Sequence, residues 1–182
     1  MFFVSDRKTD VPEQYQTAVQ EYAYRALNSL GIPFERVETD EAITMADCVM
    51  IEKKLDMQMV KTLFLCNRQQ TEYYVFVTAG DKPFRAKEFS NALGIPRVSF
   101  APAEKMTDRL GTQVGAATVF SALLPSARDV RFVFDKEIAD REMYGCSDGT
   151  TTGYMKVGVQ KILEELLPSA GVVPTVIEVQ RG

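Results

Sequence analysis

Histidine is absent from the 182-residue sequence. Its absence excludes Ser-His-Asp and Cys-His nucleophile systems, H-E-x-x-H zinc sites and histidine general bases. An enzyme built from this chain must therefore use lysine, carboxylates, hydroxyls, a thiol, backbone dipoles or groups of the substrate itself.

Cysteine is scarce and long apolar runs are missing. The three cysteines, Cys48, Cys66 and Cys146, are odd in number and form no C-x-x-C pair. This pattern is typical of free thiols in a reducing compartment, and not of a disulfide framework or a zinc site. No apolar stretch approaches the ~20 residues of a membrane span, and the N-terminus lacks a signal-peptide core. We expect a cytoplasmic protein without membrane contact, metal ion or cofactor.

The charge is mildly acidic overall, with a net value of −4. Because coating DNA requires clustered lysine and arginine, this balance argues against a DNA-binding protein. Residues 84–110 differ from the rest, since they carry five cations against three anions. That segment is either the solvated face of two short helices or a weak landing area for a nucleic-acid backbone.

Helical and extended patterns interleave along the chain without a strict βαβ rhythm. Helical periodicity runs from Val19 to Leu30, preceded by a possible capping box at Asp10 and Glu13. Further helices are predicted over 43–55, 86–94 and 103–111 and from residue 159 onward. Strands are predicted over 34–38, 60–67, 72–80, 97–101, 129–138 and 175–181. Alternation in the 129–138 strand predicts one buried face. We infer a single α/β (α+β) domain over residues 1–182.

Lys61 is the one cation in the otherwise apolar strand VKTLFLC. One interpretation is a strand-end lysine whose stem packs while its ammonium reaches water. The other is a cation at the floor of a pocket, held for an anionic or carbonyl-bearing ligand. Burying a charge costs free energy unless it is paired, so a lysine between Val60 and Leu63 requires a partner.

Two small-residue segments could complete such a pocket. In LGTQVGAATVFSALL, the turn at Gly115 and Ala116 could offer backbone N–H groups to an anion, or it could be a loop that needs glycine. In YGCSDGTTTG, the Asp148-Gly149 pair predicts a hairpin. The small polar residues around that pair could form a polar wall; Cys146 is a poor nucleophile candidate without a histidine to activate it.

Taken in order, these segments resemble the YbaK/prolyl-tRNA-editing family of aminoacyl-tRNA deacylases. VKTLFLCN resembles the family's KNLFL strand, YYVFVTAGDKPFRAKEFSNALGIPRVSFAPAEKMTDRLG resembles the next strand and helix entry, GAATVFSAL resembles GSVSPFGL, and GCSDGTTTG lies where the family has HPxxNTAT. The family's histidine and asparagine in the last motif fall on Gly145 and Gly149.

The resemblance implies a mixed, curved central β-sheet flanked by helices, and hydrolysis of the ester at the 3′ end of mischarged tRNA, with Ala-tRNA(Pro) as the expected substrate. It implies Lys61 as the catalytic residue, aminoacyl-tRNA as partner and prolyl-tRNA synthetase as a candidate partner. The implied substrate-binding residues are Met45, Thr62, Gly115, Ala116, Gly145, Ser147, Asp148 and Thr152. The two replaced positions leave an alternative open, namely a non-catalytic homologue that binds aminoacyl-tRNA, a nucleotide or a partner protein.

Overall fold

The computed structural model of the chain describes residues 1–42 and 44–182, so Ile43, the first residue of the predicted 43–55 helix, lies outside the described residues. The strands are β1 (Phe34–Glu38), β2 (Val60–Cys66), β3 (Tyr73–Ala79), β4 (Ser99–Phe100), β5 (Val130–Asp135), β6 (Met143–Ser147), β7 (Gly153–Gly158) and β8 (Thr175–Ile177). The α-helices are α1 (Ala18–Ser29), α2 (Met45–Leu55), α3 (Ala86–Leu93), α4 (Ala103–Lys105), α5 (Lys136–Ala139), α6 (Val159–Lys161) and α7 (Leu167–Ser169). Two segments are π-helical: Met106–Leu110 extends α4, and Ile162–Leu166 joins α6 to α7. Two 3-10 turns cover Val119–Leu123 and Pro125–Ala127.

The first helix begins later than its capping signal suggested. The N-cap is Thr17, whose hydroxyl accepts a hydrogen bond from the Gln20 backbone N–H at 3.1 Å. The predicted capping box at Asp10 and Glu13 is therefore wrong. A threonine hydroxyl satisfies one of the free N–H groups of the first turn as well as an acidic cap does.

One sheet has five strands in the order β4-β2-β3-β5-β8. Strand β2 pairs antiparallel with β3 and β4, whereas β3–β5 and β5–β8 are parallel. The prediction that β5 has a single buried face is wrong, because Val133 and Asp135 are both fully buried. Helix α3 covers the second face through Phe89, and Val133 lies in the same hydrophobic cluster as Phe89 and as Ile177 of the neighbouring strand β8.

The other sheet has three antiparallel strands in the order β1-β7-β6. Its β6–β7 hairpin turns at residues 148–152, as the Asp148-Gly149 pair predicts. A parallel bridge between Met59 and Gly145 joins this sheet to the residues just before β2. The predicted mixed α+β class is thus confirmed, with its strands divided between two linked sheets that share one large hydrophobic core.

Candidate active site

A cavity of about 830 Å³ opens where the two sheets meet. Its walls come from one face of α2, the residues leading into and along β2, the turn after β3, and the segments around Phe100 and Gly115. Four apolar side chains at this cavity are exposed to solvent: Met45, Val49, Phe100 and Val114. The cavity therefore has an apolar rim, which suits a ligand with an apolar or aromatic portion.

Lys61 lies on the β2 wall of this cavity and is half-buried. Its ammonium donates a hydrogen bond to the main-chain carbonyl of Lys82, which follows β3. Burial lowers the pKa of Lys61 from its usual value, and the carboxylate of Asp81 partly opposes that effect. The lysine is thus a cation with a fixed main-chain partner, facing a cavity large enough for a small ligand.

The glycine turn also reaches the cavity, although its two residues differ in exposure. Gly115 lines the cavity and has φ +92°, a conformation that favours glycine. Ala116 is fully buried, and its N–H donates to the Gln113 carbonyl at 3.0 Å. That N–H closes the turn, so the turn presents Gly115 to the cavity and uses Ala116 to hold its own shape.

The 145–152 segment is divided between two sides of the molecule. Ser147 lines the cavity, with its hydroxyl donating to the Thr150 carbonyl at 2.8 Å. Asp148 points the other way, where it accepts hydrogen bonds from Gln20 at 3.0 Å and from the Tyr24 hydroxyl at 2.8 Å. Thr152 lines the same smaller polar pocket as Asp148, outside the cavity lining. Of these three residues, Ser147 alone lines the cavity, so the expected polar wall is smaller than the sequence predicted.

Gly145 lies beside the cavity rather than in its lining. Its N–H donates to the Gln58 carbonyl at 3.3 Å. A Cβ at this position would lie 1.8 Å from the Met57 sulfur. The thioether of Met57 thus occupies the space into which a larger residue at 145 would project, and the backbone contact holds Gln58 and Met59 against the cavity.

Helix α2 contributes a cavity face of which the sequence interpretation identified only Met45. Met45, Cys48, Val49 and Glu52 all line the cavity, at the i, i+3, i+4, i+7 spacing of one helix face, a signal visible in the sequence. Glu52 accepts a hydrogen bond from the Met59 N–H at 2.8 Å. Burial raises the pKa of the Cys48 thiol, and Glu52 and Asp47 add to that shift, so the thiol is a weak nucleophile.

Two further cavity residues were missed. Asp81 lies in the turn after β3, and its carboxylate acts on Lys61. The ion pair with Arg181 lowers the pKa of Asp81 itself. Tyr154 closes another wall, and burial raises its pKa to about 12, which keeps the phenol neutral. Asp81 could have been found from its position at the end of the strand that pairs with β2, whereas Tyr154 has no local signal.

The described residues form neither a cluster of metal-binding side chains nor a membrane-spanning helix. Within residues 1–42 and 44–182, no group of three or more His, Cys, Asp or Glu side chains is placed to hold a metal ion. None of the helices formed by the described residues is long and apolar enough to cross a membrane.

Comparison with known proteins places the chain in a family. Residues 39–164 match the profile of the "Aminoacyl-tRNA editing domain" family. The chain is 27% identical over 115 residues, 63% of this chain and 70% of the relative, to the "Prolyl-tRNA editing protein ProX" of Acetoanaerobium sticklandii.

Two solved structures share the fold. One, described as "Crystal structure of hypothetical protein APE2540", has a TM-score of 0.66 at 19% identity, covering 86% of this chain and 98% of that one. The other, described as "Crystal structure of a putative trans-editing enzyme for prolyl tRNA synthetase", has a TM-score of 0.62 at 14% identity, covering 91% of this chain and 100% of that one. Since the profile match covers more than half of the chain and includes the Lys61 strand, the Gly115 turn and the 145–152 hairpin, this protein belongs to the aminoacyl-tRNA editing domain family.

Proposed function

We propose that the protein is a trans-acting aminoacyl-tRNA deacylase that hydrolyses the ester of mischarged tRNA, with Ala-tRNA(Pro) as the expected substrate. The observation that carries the proposal is the Lys61 ammonium, fixed on the wall of a cavity in a family of editing domains. The similarity to a prolyl-tRNA editing protein supports both the reaction and the choice of proline tRNA.

In the proposed reaction, water attacks the carbonyl carbon of the aminoacyl ester. The bond from that carbon to the ribose oxygen then breaks, and the proton lost by the water goes to the leaving ribose oxygen, through the neighbouring ribose hydroxyl or a further water. Lys61 holds the substrate and stabilises the negative charge that develops on the carbonyl oxygen. Because Lys61 is already bound to the Lys82 carbonyl, little reorganisation is needed during the reaction.

The cavity shape supports selection by size. We propose that Met45, Thr62, Gly115 and Ser147 contact the substrate, since all four line the cavity with Lys61. The other expected binding residues would then support the cavity walls through contacts outside the lining; they are Ala116, Gly145, Asp148 and Thr152. A pocket of fixed size excludes larger side chains sterically, which is how an editing site can reject correctly charged tRNA.

The partners and location follow from the substrate. We propose that aminoacylated tRNA is the macromolecular partner, with prolyl-tRNA synthetase as a candidate second partner, and that the protein acts in the cytoplasm, where charged tRNA is used. We also propose that residues 1–182 act as one domain, which is supported by the hydrophobic core shared between the two sheets.

The test is a deacylation panel with alanine-, serine- and cysteine-charged tRNA, including Ala-tRNA(Pro). We expect turnover with at least one ester, and a fall in kcat of ~10²–10³-fold in Lys61→Met, the loss seen when a group stabilising an oxyanion is removed. Lys156→Met is the matched control, because Lys156 also donates from a strand to a main-chain carbonyl, that of Asp56, and lies outside the cavity lining.

Each outcome decides between the two functions. Turnover that depends on Lys61 and not on Lys156 supports deacylation. Binding of charged tRNA by the folded protein without any hydrolysis would instead support the non-catalytic homologue. Full activity in Lys61→Met would show that the catalytic group lies elsewhere.

A further inference from the structure

A buried ion pair lies next to the cavity and has no part in the reaction described above. The Lys82 ammonium is 2.7 Å from Asp135 Oδ2, and the two side chains are 3% and 1% exposed. The Thr78 hydroxyl donates to the same carboxylate oxygen at 2.7 Å. Burying both charges is costly, and such pairs are often no more stabilising than apolar residues of similar size. A contribution to folding stability is therefore a poor explanation for the presence of this buried pair.

The ion pair joins the turn after β3 to the centre of the sheet. The Lys82 N–H donates to the Ala79 carbonyl at 3.1 Å, which closes the turn. Asp135 ends β5, the strand between β3 and β8, and its other oxygen accepts from the Glu137 N–H at 3.1 Å, capping α5. The carboxylate is thus fixed at both oxygens, and the Lys82 side chain ties the turn to it.

The same turn approaches the residues leading into β2 closely. A Cβ on Gly80 would lie 2.8 Å from the Met59 carbonyl oxygen, so the turn has little room to move in that direction. The Lys82 carbonyl, at the end of this turn, accepts the hydrogen bond from the Lys61 ammonium. One residue therefore contributes its side chain to the buried pair and its carbonyl to Lys61.

We propose that the Lys82–Asp135 ion pair is a positioning device, which fixes the Lys82 carbonyl and through it the orientation of the Lys61 ammonium in the cavity. This inference rests on the proposed function for its catalytic consequence. Lys82 and Asp135 are positioning residues, since both act through Lys61. A shift of the carbonyl moves the ammonium away from the reacting ester, and a displacement of about 1 Å can cost ~10²-fold in rate.

The double variant Lys82→Met/Asp135→Asn tests the proposal. It removes both buried charges together, so neither is left unpaired, and the asparagine oxygen can still accept from Thr78. We expect a folded protein whose kcat falls ~10²-fold with little change in KM. Lys82→Arg, which keeps the ion pair, should retain most of the wild-type kcat. The control Lys136→Met/Asp140→Asn removes an exposed ion pair of the neighbouring helix and should leave kcat unchanged.

A second measurement does not depend on catalysis. Competitive acetylation followed by mass spectrometry reports the reactivity of the Lys61 amino group, which should rise in Lys82→Met/Asp135→Asn and stay at the wild-type value in the control. A folded double variant with wild-type kcat and wild-type Lys61 labelling would overturn the proposal.

One further variant and the labelling measurement cover two other outcomes. If the double variant does not fold, Asp135→Glu replaces it, because the longer carboxylate displaces the turn while keeping both charges; an unchanged kcat there would also overturn the proposal. If the wild-type protein hydrolyses no ester, the proposed function fails by itself, and Lys61 labelling still decides the positioning role.

Discussion

Replacing Gly145 with alanine is expected to destabilise the protein through a clash with Met57. An added Cβ would lie 1.8 Å from the Met57 sulfur and 2.0 Å from its terminal carbon. Both distances are far below van der Waals contact, so the thioether must move. The Gly145 backbone cannot move away easily, because its N–H is bound to the Gln58 carbonyl and its strand is paired with β7.

The cost can be estimated from overpacking in other proteins. Inserting a methyl group into a packed site costs about 1–3 kcal/mol, and the flexible end of Met57 places the expected value toward the lower part of that range. For a chain of this length, each kcal/mol lowers Tm by about 2–4 °C. Shortening Met57 to alanine removes the obstacle, so the two substitutions should couple favourably by about 1–3 kcal/mol in a double-mutant cycle.

Urea unfolding followed by circular dichroism measures all four corners of this cycle. Gly158→Ala is the matched control, since Gly158 ends a strand of the same sheet, has φ −68°, and would bring its Cβ no closer than 3.6 Å to another atom. If Gly145→Ala is as stable as Gly158→Ala, the steric reasoning is refuted. The same reasoning predicts that a histidine at position 145 requires a smaller residue at position 57.

Two further predictions concern Lys61 and Asp148. Burial lowers the pKa of Lys61 below its usual 10.5, and the ammonium is the active form. After spontaneous ester hydrolysis is subtracted, kcat/KM should therefore fall as the pH rises through that lowered pKa. The fall at alkaline pH should be lost in Lys61→Met. Asp148→Asn should lower the free energy of unfolding by about 1–3 kcal/mol, because the Gln20 and Tyr24 donors lose a charged buried acceptor. Asp6→Asn removes an exposed carboxylate that pairs with Lys54, and it should change stability by less than about 1 kcal/mol in the same urea assay. Equal effects of the two substitutions would contradict this role for Asp148.

Local patterns were sufficient for most of the secondary structure. The helix from Ala18, the β2–β3 hairpin and the β6–β7 hairpin follow from periodicity and turn residues, which act between near neighbours in the chain. The β5 prediction failed because alternation describes only which residues are apolar. The pattern predicts that Asp135 is exposed, because it is charged. In the structure Asp135 is buried, since Lys82, from the turn after β3, neutralises its charge.

The sequence by itself identified the class of fold and singled out Lys61, since a cation inside an apolar strand and an absence of histidine are both visible without coordinates. Only the tertiary structure decided which residues share the cavity with it. Ser147 and Asp148 are adjacent in the chain, yet they face opposite sides, because Ser147 ends β6 at the cavity whereas Asp148 begins the turn and binds side chains of α1. The Lys82 carbonyl that holds Lys61 comes from a turn fixed by a buried ion pair, and such contacts between distant residues leave no periodic signal in a sequence.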